Sequence, residues 1–158
     1  RGLPLRSNTL EGAEMGSYLV VANQTAISEE LIQGLKERVK EDPDAEFFLL
    51  VPATPSEHLL TQEGGSPRQI AARRAGRALT TLTDAGLPIV GAQVGAATPR
   101  EAIETEMHQR PGVYDGIVIC TLPEGISRWL DADLPYRLEQ IFRRPVTHIV
   151  MQMHRGAS

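Results

Sequence analysis

Short runs of consecutive apolar residues alternate along this chain with longer segments whose apolar residues recur every three or four positions. Residues 18–22, 47–51 and 116–120 are apolar almost throughout, and 87–94 and 146–153 are two further strand-like runs. An antiparallel strand with one wet face alternates apolar and polar residues, whereas these runs suit parallel strands buried on both faces. Between them lie four helical patterns. Ser28 caps the first, Glu29 and Glu30 fall in its first turn, Ile27, Leu31, Leu35 and Val39 are spaced to share a face, and Asp42-Pro43 ends it. The second, 68–85, places Ala71, Ala75, Ala78, Leu79 and Leu82 on a stripe of mostly small residues, and Gly86 follows as a C′ glycine. The third opens with Thr98 as N-cap, Pro99 at the first helical position and Glu101 two places on, buries Ala102, Ile103 and Met107, and breaks at Arg110-Pro111-Gly112. The fourth starts near Asp133, buries Leu134, Leu138, Ile141 and Phe142, and stops at Arg144-Pro145.

The order β-α-β-α-β-α-β-α-β predicts an α/β fold: a three-layer, doubly wound, Rossmann-like sheet of five parallel strands with helices on both faces. The expected domain spans 17–153, between a flexible tail or linker remnant at 1–16 and a short tail at 154–158. A long polar loop, 52–67, carries Gly64-Gly65 and His58. Its stretch 56–66 is expected to be mobile and His58 solvated. A second loop, Thr121-Leu122-Pro123-Glu124-Gly125-Ile126-Ser127-Arg128-Trp129, follows the fourth strand. Ligands of open α/β sheets sit outside the carboxyl ends of strands, which makes this loop the focus of any functional reading. Trp129, the only tryptophan, is read as packing over the end of the sheet.

Composition narrows the function classes. The 158 residues include 16 Lys and Arg against 20 Asp and Glu, a net charge of -4 that disfavours a nucleic-acid partner. Aromatic residues are only 4%, too few for stacking platforms along a single strand. Arg68, Arg73, Arg74 and Arg77 form a basic run, read as a solvated helix face. The one cysteine, Cys120, lies in an apolar strand and reads as a core residue of a cytoplasmic protein. No apolar run approaches the length of a membrane helix, so no membrane association is expected. The chain starts at Arg1 rather than Met, so a missing targeting signal carries little weight.

Several chemistries lack their motifs. There is no G-x-S-x-G elbow, no G-x-x-x-x-G-K-[ST], and no G-x-G-x-x-G after the first strand. His58, His108, His148 and His154 are scattered without metal-ligand spacing, and His148 reads as a surface or interface residue. A phosphoacceptor site would need carboxylates after the first strand, where the chain has Asn23-Gln24-Thr25. Asp115 precedes its strand, at the wrong end. No base–nucleophile pair stands out, no catalytic residue is assigned, and no metal site is expected.

The segment Val94-Gly95-Ala96-Ala97-Thr98-Pro99-Arg100-Glu101-Ala102-Ile103, followed by Tyr114-Asp115-Gly116-Ile117-Val118-Ile119, resembles the universal stress protein family. Leu19-Val20-Val21-Ala22-Asn23-Gln24-Thr25 is similar to its V-x-V-D-G-S, and Pro145-Val146-Thr147-His148-Ile149-Val150 to its terminal C-P-V-x-V-V. The resemblance runs over 18–152. It implies strand order 3-2-1-4-5, a homodimer through the last strand (Val146, His148, Ile149, Val150), and ATP binding in one subgroup only. That subgroup carries G-x2-G-x9-G-[ST] after strand four. Here the first two glycines fall on Thr121 and Glu124, and the Gly-[ST] pair falls on Leu134-Pro135. Pro135 has no N–H for a phosphate, while Glu124 and Asp133 would repel one from the helix end. The subgroup's acidic residue that recognises adenine is Asn23 here. The expectation is a regulatory or interaction domain without conventional ATP binding and with no cofactor. The alternative is an adenine-nucleotide-binding protein holding ATP or AMP through an altered loop, with Asn23, Gly125, Ser127 and Arg128 as contacts.

Overall fold

The computed structural model describes residues 16–55, 64–122 and 133–151. Five strands, β1 (Ser17–Val21), β2 (Glu46–Pro52), β3 (Ile89–Gly95), β4 (Gly116–Thr121) and β5 (Val146–Val150), alternate with four helices, α1 (Glu29–Glu41), α2 (Pro67–Asp84), α3 (Pro99–Gln109) and α4 (Leu134–Phe142). The strands form one parallel sheet in the order β3-β2-β1-β4-β5. The expected fold class and strand order are both present, and each expected element appears within a few residues of its predicted bounds.

The continuous apolar runs are explained by the two faces of the sheet. Val20, Leu49, Val118 and Cys120 point to one face, under Leu31 and Leu35 of α1 and Ala71, Ala75, Ala78 and Leu82 of α2. Leu19, Val21, Leu50, Ile117 and Ile119 point to the other, under Ala102 and Ile103 of α3 and Leu134 and Leu138 of α4. Right-handed crossovers put α1 and α2 on one side and α3 and α4 on the other, because the chain reverses direction across the sheet after β3. Each fully buried Leu or Ile contributes roughly 1.5–3 kcal/mol.

Local signals set the helix ends. Ser28 accepts from Leu31 N and Thr98 from Glu101 N, both as N-caps. Ser66 and Gln69 form a reciprocal capping box that starts α2 one residue before its predicted first residue. Gly86 closes α2 at φ 91°, as a C′ glycine does. Asp133 is the N-cap residue of α4, but its carboxylate makes no capping bond and pairs with Arg137 at 3.3 Å.

Expectations about burial are corrected at several positions. Ile27 is 43% exposed because it lies in the turn before α1, outside the reach of helical spacing. Ile141 is 50% exposed: α4 is short and turns only Leu134 and Leu138 fully inward. Met107 and Leu79 are half-buried, while the buried side chain at the end of α3 is its neighbour Glu106. Arg74, assigned to a solvated face, is buried at 8% exposure.

Candidate functional site

The carboxyl ends of β1, β2 and β4 carry a set of buried polar side chains. Asn23, 4% exposed, follows β1. Its Nδ2 donates to the Pro52 carbonyl at 2.8 Å, at the end of β2, and to Thr54 Oγ1 at 3.3 Å, just past it. Its Oδ1 accepts from Arg74 Nη1 of α2 at 2.8 Å. An amide has two N–H donors, so both are engaged, and the oxygen already holds a charge-assisted bond. A base seeking a donor from that amide would have to displace the Pro52 carbonyl or Thr54, while the oxygen keeps one lone pair beside Arg74.

The same turn is tied to β4. Thr25 Oγ1 donates to the Cys120 carbonyl at 2.8 Å, and Thr25 is 2% exposed. Ser28 Oγ, the N-cap of α1, lies 3.8 Å from Cys120 Sγ. Burial pushes the Cys120 thiol above its ordinary pKa, against the lowering effect of hydrogen bonds from Thr25 and Ser28. A fully buried, protonated thiol is a poor nucleophile, which fits the core role expected for it. Thr121, where the ATP-binding pattern would start, directs its Oγ1 to His148 Nε2 of β5 at 2.7 Å. Burial lowers the His148 pKa, which favours neutral imidazole in that bond.

Of the contacts named from sequence, Asn23 lies at the site. Gly125, Ser127 and Arg128 lie outside the described residues, as do Trp129, His58, Glu124 and most of the loop expected to be mobile. Arg74, Thr54 and Thr25 were not anticipated. A signal for Arg74 was present: it sits three or four residues from Ile70, Ala71 and Ala78, on the apolar row of α2. Asp115 lies at the opposite end of the sheet, as expected, where its Oδ2 accepts from Ser17 N at 3.0 Å. Among the described residues no group of three or more His, Cys, Asp or Glu is placed to hold a metal ion. No helix of the described residues is long and apolar enough to cross a membrane.

Solved structures match this architecture. A universal stress protein from Archaeoglobus fulgidus superposes with a TM-score of 0.54 at 12% identity, covering 85% of this chain and 98% of its own. The chain has the universal stress protein fold. A family member from Burkholderia pseudomallei gives a TM-score of 0.54 at 15% identity, over 87% of this chain and 98% of that one. An Arabidopsis thaliana family protein, solved with AMP bound, gives 0.57 at 12% identity, over 87% and 92%. No protein-family model and no curated protein matches the sequence.

Proposed function

We propose that this chain is a cytoplasmic regulatory or interaction module built on the universal stress protein fold, without conventional ATP binding, and that it works as a homodimer in a stress response. The observation that carries the first part is the engaged Asn23 amide. The position that resembles the adenine-recognising residue of nucleotide-binding relatives spends its hydrogen bonds on Pro52, Thr54 and Arg74. A ligand drawing on its N–H donors would have to replace buried bonds, and each donor or acceptor left unsatisfied costs about 1–3 kcal/mol. The sequence after β4, with Thr121 and Leu134-Pro135 where glycines and a Gly-[ST] pair would stand, supports the same reading.

The test is nucleotide recovery. Protein purified without added nucleotide is denatured and the supernatant analysed by mass spectrometry, followed by calorimetric titration with Mg·ATP and AMP. The expected result is no stoichiometric nucleotide and no saturable heat up to millimolar ligand. Recovery of AMP or ATP near one per chain would overturn the reading. It would favour the alternative, which the AMP-bound Arabidopsis structure motivates, in which an altered loop including Gly125, Ser127 and Arg128 binds the nucleotide beside Asn23.

The homodimer reading rests on a difference between the two sheet edges. On β3, the register slips between Phe47 and Phe48 of β2 and leaves Val90 as an extra residue, a bulge that bends an edge away from further pairing. On β5, Val146 to Val150 pair residue for residue with β4, with no bulge. The strand contains no Lys, Glu or Pro, and Val150 is 38% exposed. A two-fold axis would pair this strand with its own copy. Sedimentation velocity at micromolar concentration should give a dimer, and Ile149→Pro should shift it toward monomer. A wild-type monomer across that range would sink the idea.

A further inference from the structure

We propose that the outer face of α2 docks an acidic helix of another protein. The inference rests on reading the domain as an interaction module and names the chemistry of its partner. From Gly64 to Thr83 the chain has four arginines and no Asp or Glu, whereas the other 138 residues hold 12 basic and 20 acidic side chains, a net of -8. Arg74 turns inward, and Arg68, Arg73 and Arg77 are exposed.

On the other helices the arginines and Lys40 pair with acidic side chains three or four places away, whereas Lys36 of α1 has no such neighbour. On α1, Arg38 pairs with Glu41 at 3.0 Å and Lys40 with Glu37 at 3.6 Å. On α3, Arg100 pairs with Glu104 at 2.9 Å and Arg110 with Glu106 at 2.8 Å. On α4, Arg137 pairs with Asp133 at 3.3 Å. No arginine of α2 has an acidic residue three or four places away on either side. The Arg73 guanidinium donates to the Gly64 carbonyl at the start of the helix. Arg68 and Arg77 therefore carry the proposal. At 3.6 residues per turn they lie on opposite flanks of the exposed face, about 14 Å apart along the axis.

Between these flanks the exposed residues include Ala72, Gly76 and Thr80. Gly76 is disfavoured in a helix interior, and a Cβ added there would meet nothing within 4 Å among the described residues, so their packing does not require it. A backbone approached closely from outside does. The result is a narrow floor of small side chains between two cations, which suits a rod with carboxylates along both sides. A nucleic acid suits it less, since α2 has no aromatic residue for stacking and the rest of the molecule is acidic.

The probe is a fluorescein-labelled, amidated alanine-based helical peptide with glutamates four residues apart, titrated by anisotropy in 50 mM NaCl. Saturable binding is expected, falling in 300 mM NaCl because exposed charges are screened. The lysine counterpart should not bind. Arg68→Glu with Arg77→Glu should weaken binding at least tenfold, and Gly76→Leu should weaken it with the fold intact by circular dichroism. Gly76→Ala should raise Tm by about 2–4 °C. Should the charge reversal unfold the chain, Arg68→Gln with Arg77→Gln gives the same reading. Absence of saturable binding, or binding indifferent to the arginine substitutions, would overturn the proposal. So would oligodeoxythymidylate of equal charge binding as tightly as the peptide. Arg68 and Arg77 do not touch Asn23, so recovered nucleotide would refute the proposed function without deciding this result.

Discussion

Removing the hydroxyl of Tyr114 should destabilise the domain far more than a surface change, and should alter its behaviour in alkali. Tyr114, 4% exposed, donates to Glu106 Oε2 at 2.6 Å across the joint between α3 and the start of β4. Glu106 is 1% exposed; its Oε2 also meets Arg110 Nε at 2.8 Å, and its Oε1 has no hydrogen-bond partner among the described residues. Tyr114→Phe leaves that buried carboxylate with one protein partner in place of two. Hydrogen bonds to charged groups are worth about 1.5–3 kcal/mol, and each kcal/mol moves Tm by about 2–4 °C in a chain of this size. The expected loss in Tm is therefore roughly 3–12 °C. The pH dependence adds a second readout. Burial raises the Tyr114 pKa above the usual 10, assisted by the hydrogen bond to Glu106 and its charge and opposed by Arg110. Below pH 10 the phenol is protonated in both folded and unfolded chains and the full stabilisation is present. Above pH 10 the unfolded chain releases its proton first, and stability falls, by at most about 1.4 kcal/mol per pH unit for one group. Tyr18 is raised as well, chiefly by burial and then by Asp42, so the wild-type slope contains both tyrosines and Tyr114→Phe should make it shallower. Urea titrations at pH 7, 10 and 11 measure both effects, and a double-mutant cycle with Glu106→Gln isolates the pair. A loss below about 0.5 kcal/mol at pH 7 with an unchanged alkaline slope would refute the argument, since surface substitutions commonly fall in that range.

Three further outcomes are expected. Gly34→Val should destabilise by about 1–3 kcal/mol, because a Cβ at Gly34 would run into Ile149 Cδ1 where α1 crosses β5, and Ile149→Ala should recover part of the loss in chemical denaturation. Ser66→Ala should cost about 1 kcal/mol in Tm-derived stability by removing the capping box of α2, and an unchanged Tm would mean that the helix start is held by something else. His148 has a lowered pKa, so the stability it contributes is present above pH 6.5 and lost as pH falls through its folded value; His148→Asn should flatten the melting profile between pH 7 and 5, and an equally steep profile would exclude His148 as the source.

The sheet was legible because its strands are long enough and apolar enough to exclude other readings. Leu19, Val20 and Val21 occupy both faces of a buried strand, and no antiparallel strand with a wet face tolerates that run. Capping residues marked the helix starts at Ser28 and Thr98, whereas Ser66 before Pro67 carries the same kind of signal and escapes notice inside a long polar loop. Periodicity failed at element ends. Ile27 has the spacing of the α1 stripe but sits in a turn, and Ile141 has the spacing of the α4 stripe but stands at its margin, where the helix is too short to cover it. Glu106 escaped notice for another reason. Its burial depends on Tyr114, eight residues away in the next connection, and on Arg110, and no local pattern marks a carboxylate that such partners will cover.

The site was the hardest part to read, and Arg74 shows why. In a helix such as α2 the apolar row consists largely of alanines, which bury little area and so mark the inward direction only weakly. Four arginines distributed among them look alike, and the ordinary expectation for each is a solvated head. What separates Arg74 from Arg73 is a single step of 100° around the axis, and that step decides whether the guanidinium reaches Gly64 at the surface or Asn23 at the end of β1. Asn23 stands where the resembled ATP-binding subgroup has its adenine-recognising acidic residue, and the sequence alone says nothing of what its amide binds. The amide binds Pro52, Thr54 and Arg74, three residues from two other parts of the chain. The partners of such a residue, which no local pattern in the sequence displays, are what separate a recognition edge from a structural tie: here both N–H donors of Asn23 are tied to the end of β2, and its oxygen to Arg74.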